Sequence, residues 1–281
     1  MSCTDPRPRR FSFLRATGLG LALCVLVQGV GGRAWSAEVP IDVRYAIEVA
    51  GVPVAEAALT VSPIEGGLAS RLVVQSVGLA AAWSGARSEL RALIQRAGEG
   101  AVVPRSFEAS HVKRDRARKV RIRYDRAGAV VEAKVASRGR ERASEVPEDL
   151  RRGTVDPLTA FERLRAWLAE AVAGRAPPET TVAIFDGRKR LDLEVRYLGR
   201  IANADGRVEG FELSARLIGR FGFEPEDGVV ELPSGDRPSP LRVLVEPTDS
   251  LLPVRIEVPD RPAGPVITLR RDCRVQRCPP A

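Results

Sequence analysis

Histidine, cysteine, methionine and aromatic residues are all scarce in this 281-residue chain. It has one histidine, four cysteines, one methionine, and 5% Phe, Trp and Tyr together. Imidazole chemistry therefore rests on His111 alone. It stands beside Ser110, on a predicted strand, with Lys113 and Arg114 close by, and reads as a solvated strand histidine rather than a catalytic base. No glycine-rich phosphate loop, zinc-protease helix or paired-thiol redox motif is present. The acidic group Glu224, Glu226 and Asp227 sits in a Gly/Pro-rich stretch and reads as a solvated loop. The expectation is a protein that is not an enzyme, with no cofactor, no metal site and no catalytic residue. Few aromatics also argue against nucleic acid. The basic run Lys113, Arg114, Arg116, Arg118, Lys119, Arg121, Arg123 has no aromatic for base stacking before Tyr124.

What the chain does have begins with an address. Arg7, Arg9, Arg10 and Arg15 precede an uncharged run from Ala16 to Gly32, and Ala34-Trp35-Ser36 follows with small residues at its first and third places. That order predicts a secretory signal peptide over residues 1–36 and a single β-rich domain over 37–281. The expected location is the periplasm, with no stable membrane span after cleavage. Rival readings of the leader are an uncleaved anchor, a twin-arginine signal at Arg9-Arg10, and a lipoprotein site at Cys24. Loss of residues 1–36 would lower the formal net charge from +8 to +4. Lysine occurs at only four places, so arginine supplies nearly all the positive charge. We read that as coding bias before phosphate binding. Two cysteines fall in the leader; Cys273 and Cys278 remain, and in an exported chain a lone pair reads as a disulfide, with free thiols and then metal binding as the alternatives.

Alternation with a period of two runs through most of the remainder. Val43, Tyr45, Ile47 and Val49 alternate with Asp42, Arg44, Ala46 and Glu48; Val120, Ile122 and Tyr124 alternate with Lys119, Arg121 and Arg123. Similar stretches cover 191–197, 211–217 and 254–258. One segment has helical spacing. Asp156 can cap it, Pro157 suits its first position, and Leu158, Phe161, Leu164, Leu168 and Val172 form one stripe before Gly174. The fold expected is mainly β with one covering helix at about 157–173: a strongly curved antiparallel sheet, a half-barrel like the lipoprotein carriers, with a closed β-barrel as the alternative. Residues 138–155 read as an internal linker and 222–240 as a long loop. Asp186-Gly187-Arg188 predicts a tight hairpin turn. The basic run has two readings, a charged outer strand face or a site for an anionic envelope component.

Several pieces, in order, resemble a known family. They are Tyr45-Ala46-Ile47-Glu48-Val49-Ala50-Gly51-Val52-Pro53-Val54-Ala55-Glu56-Ala57, Pro104-Arg105-Ser106-Phe107, Asp156-Pro157-Leu158-Thr159-Ala160, Phe185-Asp186-Gly187-Arg188-Lys189-Arg190-Leu191-Asp192-Leu193, and Leu252-Pro253-Val254-Arg255-Ile256. Together they resemble the bacterial exported family catalogued as domain of unknown function 3108. The chain departs from it at Ala55, where a glycine is common, and in its cysteine-bearing tail. The resemblance implies an exported β-rich protein and transfers no catalytic residue. By fold analogy with periplasmic lipoprotein carriers, the expected function is binding of a lipid or other apolar ligand in the sheet concavity, lined by Tyr45, Phe161, Leu164 and Leu168. The alternative is a structural or protein-interaction module whose concavity is filled core.

Overall fold

Strand alternation translates into two antiparallel sheets rather than one. The computed structural model describes residues 40–98, 101–114, 116–221, 240–258 and 267–271. Strands β1 (Ile41–Val49), β2 (Val52–Ile64), β3 (Gly67–Ser76), β4 (Arg87–Arg96), β5 (Val102–Lys113), β6 (Arg116–Tyr124), β7 (Val130–Ser137) and β8 (Arg140–Ala143) follow one another as a meander. A second group, β9 (Glu179–Phe185), β10 (Arg190–Ala202), β11 (Val208–Phe221), β12 (Leu241–Val245) and β13 (Pro253–Glu257), makes a five-stranded sheet in the order β13-β12-β11-β10-β9. The last strand, β14 (Ile267–Arg271), returns to pair with β1 and completes a nine-stranded sheet. Among the described residues no strand pairing joins the two sheets, so the barrel alternative is not realised.

The turns explain the meander. Val49 pairs with Val52 across a two-residue loop in which Ala50 and Gly51 both have positive φ, 50° and 77°. That backbone matches the right-handed twist of the flanking strands. Arg138 and Gly139 do the same between β7 and β8. The turns β1–β2, β5–β6 and β7–β8 stand at one end of the sheet, together with the connection from β3 to β4. That connection carries the short helix α1 (Gly78–Ser84).

Residues 138–155, expected to be a linker, are instead structured. They form β8, the one-turn helix α2 (Glu148–Arg151) and a parallel bridge from Val155 to Ile184 on the edge of β9. Charge misled the reading, because β8 is an exposed edge strand of Arg140-Glu141-Arg142-Ala143 with no apolar face to alternate. The long segment from β8 to β9 also interrupts the hydrogen-bonded meander, and this is why β9 opens a second sheet.

Helix α3 (Pro157–Val172) starts and stops as expected. Asp156 Oδ1 accepts from Leu158 N at 3.0 Å and Thr159 N at 2.9 Å, and Oδ2 accepts from Thr159 Oγ1 at 2.6 Å. The helix lies between two cores. Leu158 and Phe161 pack with residues of β1 to β7, including Val43, Leu59, Phe107 and Ile122. Leu164, Trp167, Leu168 and Val172 pack with Val195, Phe211, Leu213 and Val245 of the five-stranded sheet. No residue from Pro157 to Val172 is exposed. The apolar stripe is as expected, and the opposite face is partly covered too, with the Glu170 side chain 42% exposed near its end.

Candidate functional site

The four residues expected to line a ligand cavity are packed against protein. Tyr45 is 7% exposed and Leu168 2%. Tyr45 and Phe161 belong to the core of the nine-stranded sheet, whereas Leu164 and Leu168 belong to that of the five-stranded sheet. They do not converge on a shared space. Open cavities of about 330, 550 and 230 Å³ lie elsewhere, and none is lined by any of the four.

The first two cavities lie over the polar face of the nine-stranded sheet, where charge is largely paired across strands. Glu89 accepts from Arg71 at 2.8 Å and from Arg91 at 2.6 Å, and these two guanidinium hydrogen bonds pull its carboxyl down to about 2. Arg121 meets Glu108, Arg123 meets Glu132, and Lys134 bridges Glu132 and Glu141. Part of the basic run is thus neutralised by its neighbours. Lys113, Arg114, Arg116 and Lys119, toward the β5–β6 turn, are exposed, as are the paired Arg121 and Arg123.

At that same end the apolar face of the sheet turns polar. Cross-strand pairing sets Ser88, His111, Arg118 and Ser137 in one row, beyond the buried Ala92, Ala109, Val120 and Val135. His111 Nδ1 lies 2.9 Å from Ser88 Oγ. The turn between β9 and β10 packs on the neighbouring Val120 and borders Arg118 and Ser137. Asp186 Oδ1 accepts from the backbone N–H groups of Arg188 and Lys189, both at 2.9 Å, and Phe185 pairs with Arg190 across four turn residues. Gly187 has φ 91°, and a Cβ there would stand 2.3 Å from Val120 Cγ1. The hairpin expected from Asp186-Gly187-Arg188 is present and packs against β6. Beside it is the 230 Å³ cavity, lined by Arg118, Ser137, Arg142 and Arg188. Lys189 is only 9% exposed, and burial pulls its ammonium below the usual range while Asp186 opposes that shift. His111 thus has a hydroxyl neighbour. The Asp186 oxygen that orders the turn is committed to two backbone donors.

A protein family model described as "Protein of unknown function (DUF3108)" matches residues 42–268. The chain belongs to this family. No curated protein matches it. A solved structure titled "Beta-barrel-like Protein of Domain of Unknown Function DUF1849", from Brucella abortus, is similar at a TM-score of 0.45 and 9% identity, covering 84% of this chain and 96% of that one.

In this DUF3108 member, sequence reasoning missed a buried ion pair on α3. Glu162 is fully buried and Arg165 6% exposed. Arg165 Nη1 donates to Glu162 Oε2 at 2.8 Å, and Arg165 Nε donates to the Ser250 carbonyl at 2.7 Å. The guanidinium also lies 5.6 Å from the Phe161 ring centre. Burial pushes the Glu162 carboxyl up, against the pull of Arg165. The pair joins the helix to the β12–β13 connection. Its three-residue spacing was the available signal, yet the same spacing is common on wet helix faces. Cys273 and Cys278, and the acidic group 224–227, lie outside the described residues. Among the described residues no group of three or more His, Cys, Asp or Glu could hold a metal ion, and no helix is long and apolar enough to cross a membrane.

Proposed function

We propose that the chain is a non-enzymatic protein of the cell envelope, exported by residues 1–36, that works as an interaction module with a filled core. One observation carries this reading: α3 has no exposed residue and occupies the space between the sheets where a ligand would sit. An acyl chain would have to displace Leu158, Leu164 and Leu168 from their contacts. The surface left for interaction is the basic end of the nine-stranded sheet, and its charge fits an anionic envelope component. Export also makes a Cys273–Cys278 disulfide the expected state, and alkylation without reductant should label neither thiol.

The test is cell fractionation followed by native mass spectrometry of the protein taken from its own envelope extract. The expected result is an envelope location and the mass of the bare processed chain. A cytoplasmic location would defeat the reading. So would a stoichiometric lipid that is retained by wild type and lost in a folded Leu164→Gln variant, because that result would restore the carrier.

A further inference from the structure

Helix α1 presents two large apolar side chains to solvent. Leu79 is 86% exposed and Trp83 80%, and no residue of the helix is buried. They stand four residues apart, on one helical face. A helix of seven residues does not persist on its own. This one is held by polar contacts at its C-terminal end. Arg114 Nε and Nη2 both donate to the Trp83 carbonyl, at 3.0 and 2.6 Å. Ser84 Oγ donates to the Ala80 carbonyl at 2.8 Å, and Gly85, at φ 53°, donates its N–H to the Ala81 carbonyl. Trp83 is therefore fixed in place while its ring stays in water. Two more exposed apolar residues, Val52 at 56% and Val112 at 39%, stand at the same end of the sheet, where β2 begins and β5 ends.

The charge around them has one dominant sign. Arg87, Lys113, Arg114, Arg116, Arg138 and Arg140 are exposed at this end. Among the described residues the exposed carboxylates there are Glu56, three strands from Val112 in the cross-strand row Glu56, Gln75, Arg87, Val112, and Glu141, which pairs with Lys134 at 3.5 Å; Glu48 is partly exposed. Asp115, in the β5–β6 turn, lies outside the described residues. An indole and a leucine on one helical face, with cations at the same end of the sheet, have the chemistry of an interfacial anchor. The rings and methyl groups enter the boundary between headgroups and acyl chains, while the cations meet phosphates.

We propose that this end of the sheet docks on an anionic lipid bilayer surface, with Trp83 and Leu79 entering the interface and Lys113, Arg114 and Arg116 on the headgroups. The inference rests on the interaction-module reading above and names the partner. Flotation tests it, with the protein as its host processes it and with vesicles of phosphatidylcholine, alone or mixed equally with phosphatidylglycerol. Wild type should float with the mixed vesicles and not with phosphatidylcholine alone. Raising the salt to about 1 M, where the Debye length is about 3 Å, should release it. The double variant Leu79→Ser/Trp83→Ser, folded by circular dichroism and carrying the same N-terminus, should bind at least about tenfold more weakly. Lys113→Gln/Arg116→Gln should weaken binding by about tenfold or more as well. A folded double variant that floats as well as wild type would overturn the proposal. So would a wild type that ignores anionic vesicles, even if α1 captured a protein instead. An envelope-located chain without vesicle binding would remove the docking claim alone, whereas a cytoplasmic chain would remove the module reading whatever the vesicles showed.

Discussion

Asp156 must cap a helix and be buried at once. It is fully buried, and burial raises its carboxyl from an ordinary 3.8 to about 6, although three hydrogen bonds favour the charged form. Between these values the folded state binds the extra proton, so stability falls as pH rises through the window. Asp156→Asn keeps an acceptor for both backbone donors and does not titrate. It should therefore gain on wild type between pH 4 and pH 7, by up to about 3 kcal/mol in urea unfolding. A constant difference across that range would contradict this. The Glu162–Arg165 pair sets a second test. Arg165→Met leaves a buried carboxylate without its cation and should cost about 3–5 kcal/mol, while Glu162→Leu/Arg165→Met should cost less than the single change. Denaturant midpoints decide it, and a double variant less stable than the single one would refute it. The cap was legible because Asp-Pro before an apolar stripe has few other uses. Glu162 and Arg165 were not legible, because a polar position on an amphipathic helix is assigned to water unless both sides are known to be covered.

At the scale of elements, the β9–β10 turn shows how a local signal acquires a long-range role. Asp186-Gly187 announces a hairpin, but no pattern in the chain announces that Gly187 abuts Val120 of β6. Gly187→Val would force a β-branched residue to φ 91° and into that contact, and should destabilise the protein by about 2–4 kcal/mol. Thermal unfolding with an unchanged midpoint would count against this contact. Most strands were readable for a simple reason: a sheet with one polar and one apolar face imposes period two. Their division into nine and five was not, since alternation says which residues share a face and nothing about which strand lies beside which. Helix α1 escaped notice because a short Gly-Leu-Ala-Ala-Ala-Trp-Ser segment with no buried face leaves no stripe. Strand β8 escaped because all four of its residues are exposed.

At the scale of the molecule, α3 is the element on which both sheets depend. A single helix serves two sheets that share no strand pairing among the described residues, and it contributes buried groups to both cores. If α3 were a cover over a ligand space, it would open at low cost. If it is the core, it can be released only when both sheets come apart. Amide hydrogen exchange followed by mass spectrometry separates these cases. The account predicts that the amides of residues 160–172 exchange at the rate of global unfolding, together with those of β4 to β6 and β10 to β11. Exchange of that helix far faster than the strands, slowed by added lipid, would contradict it.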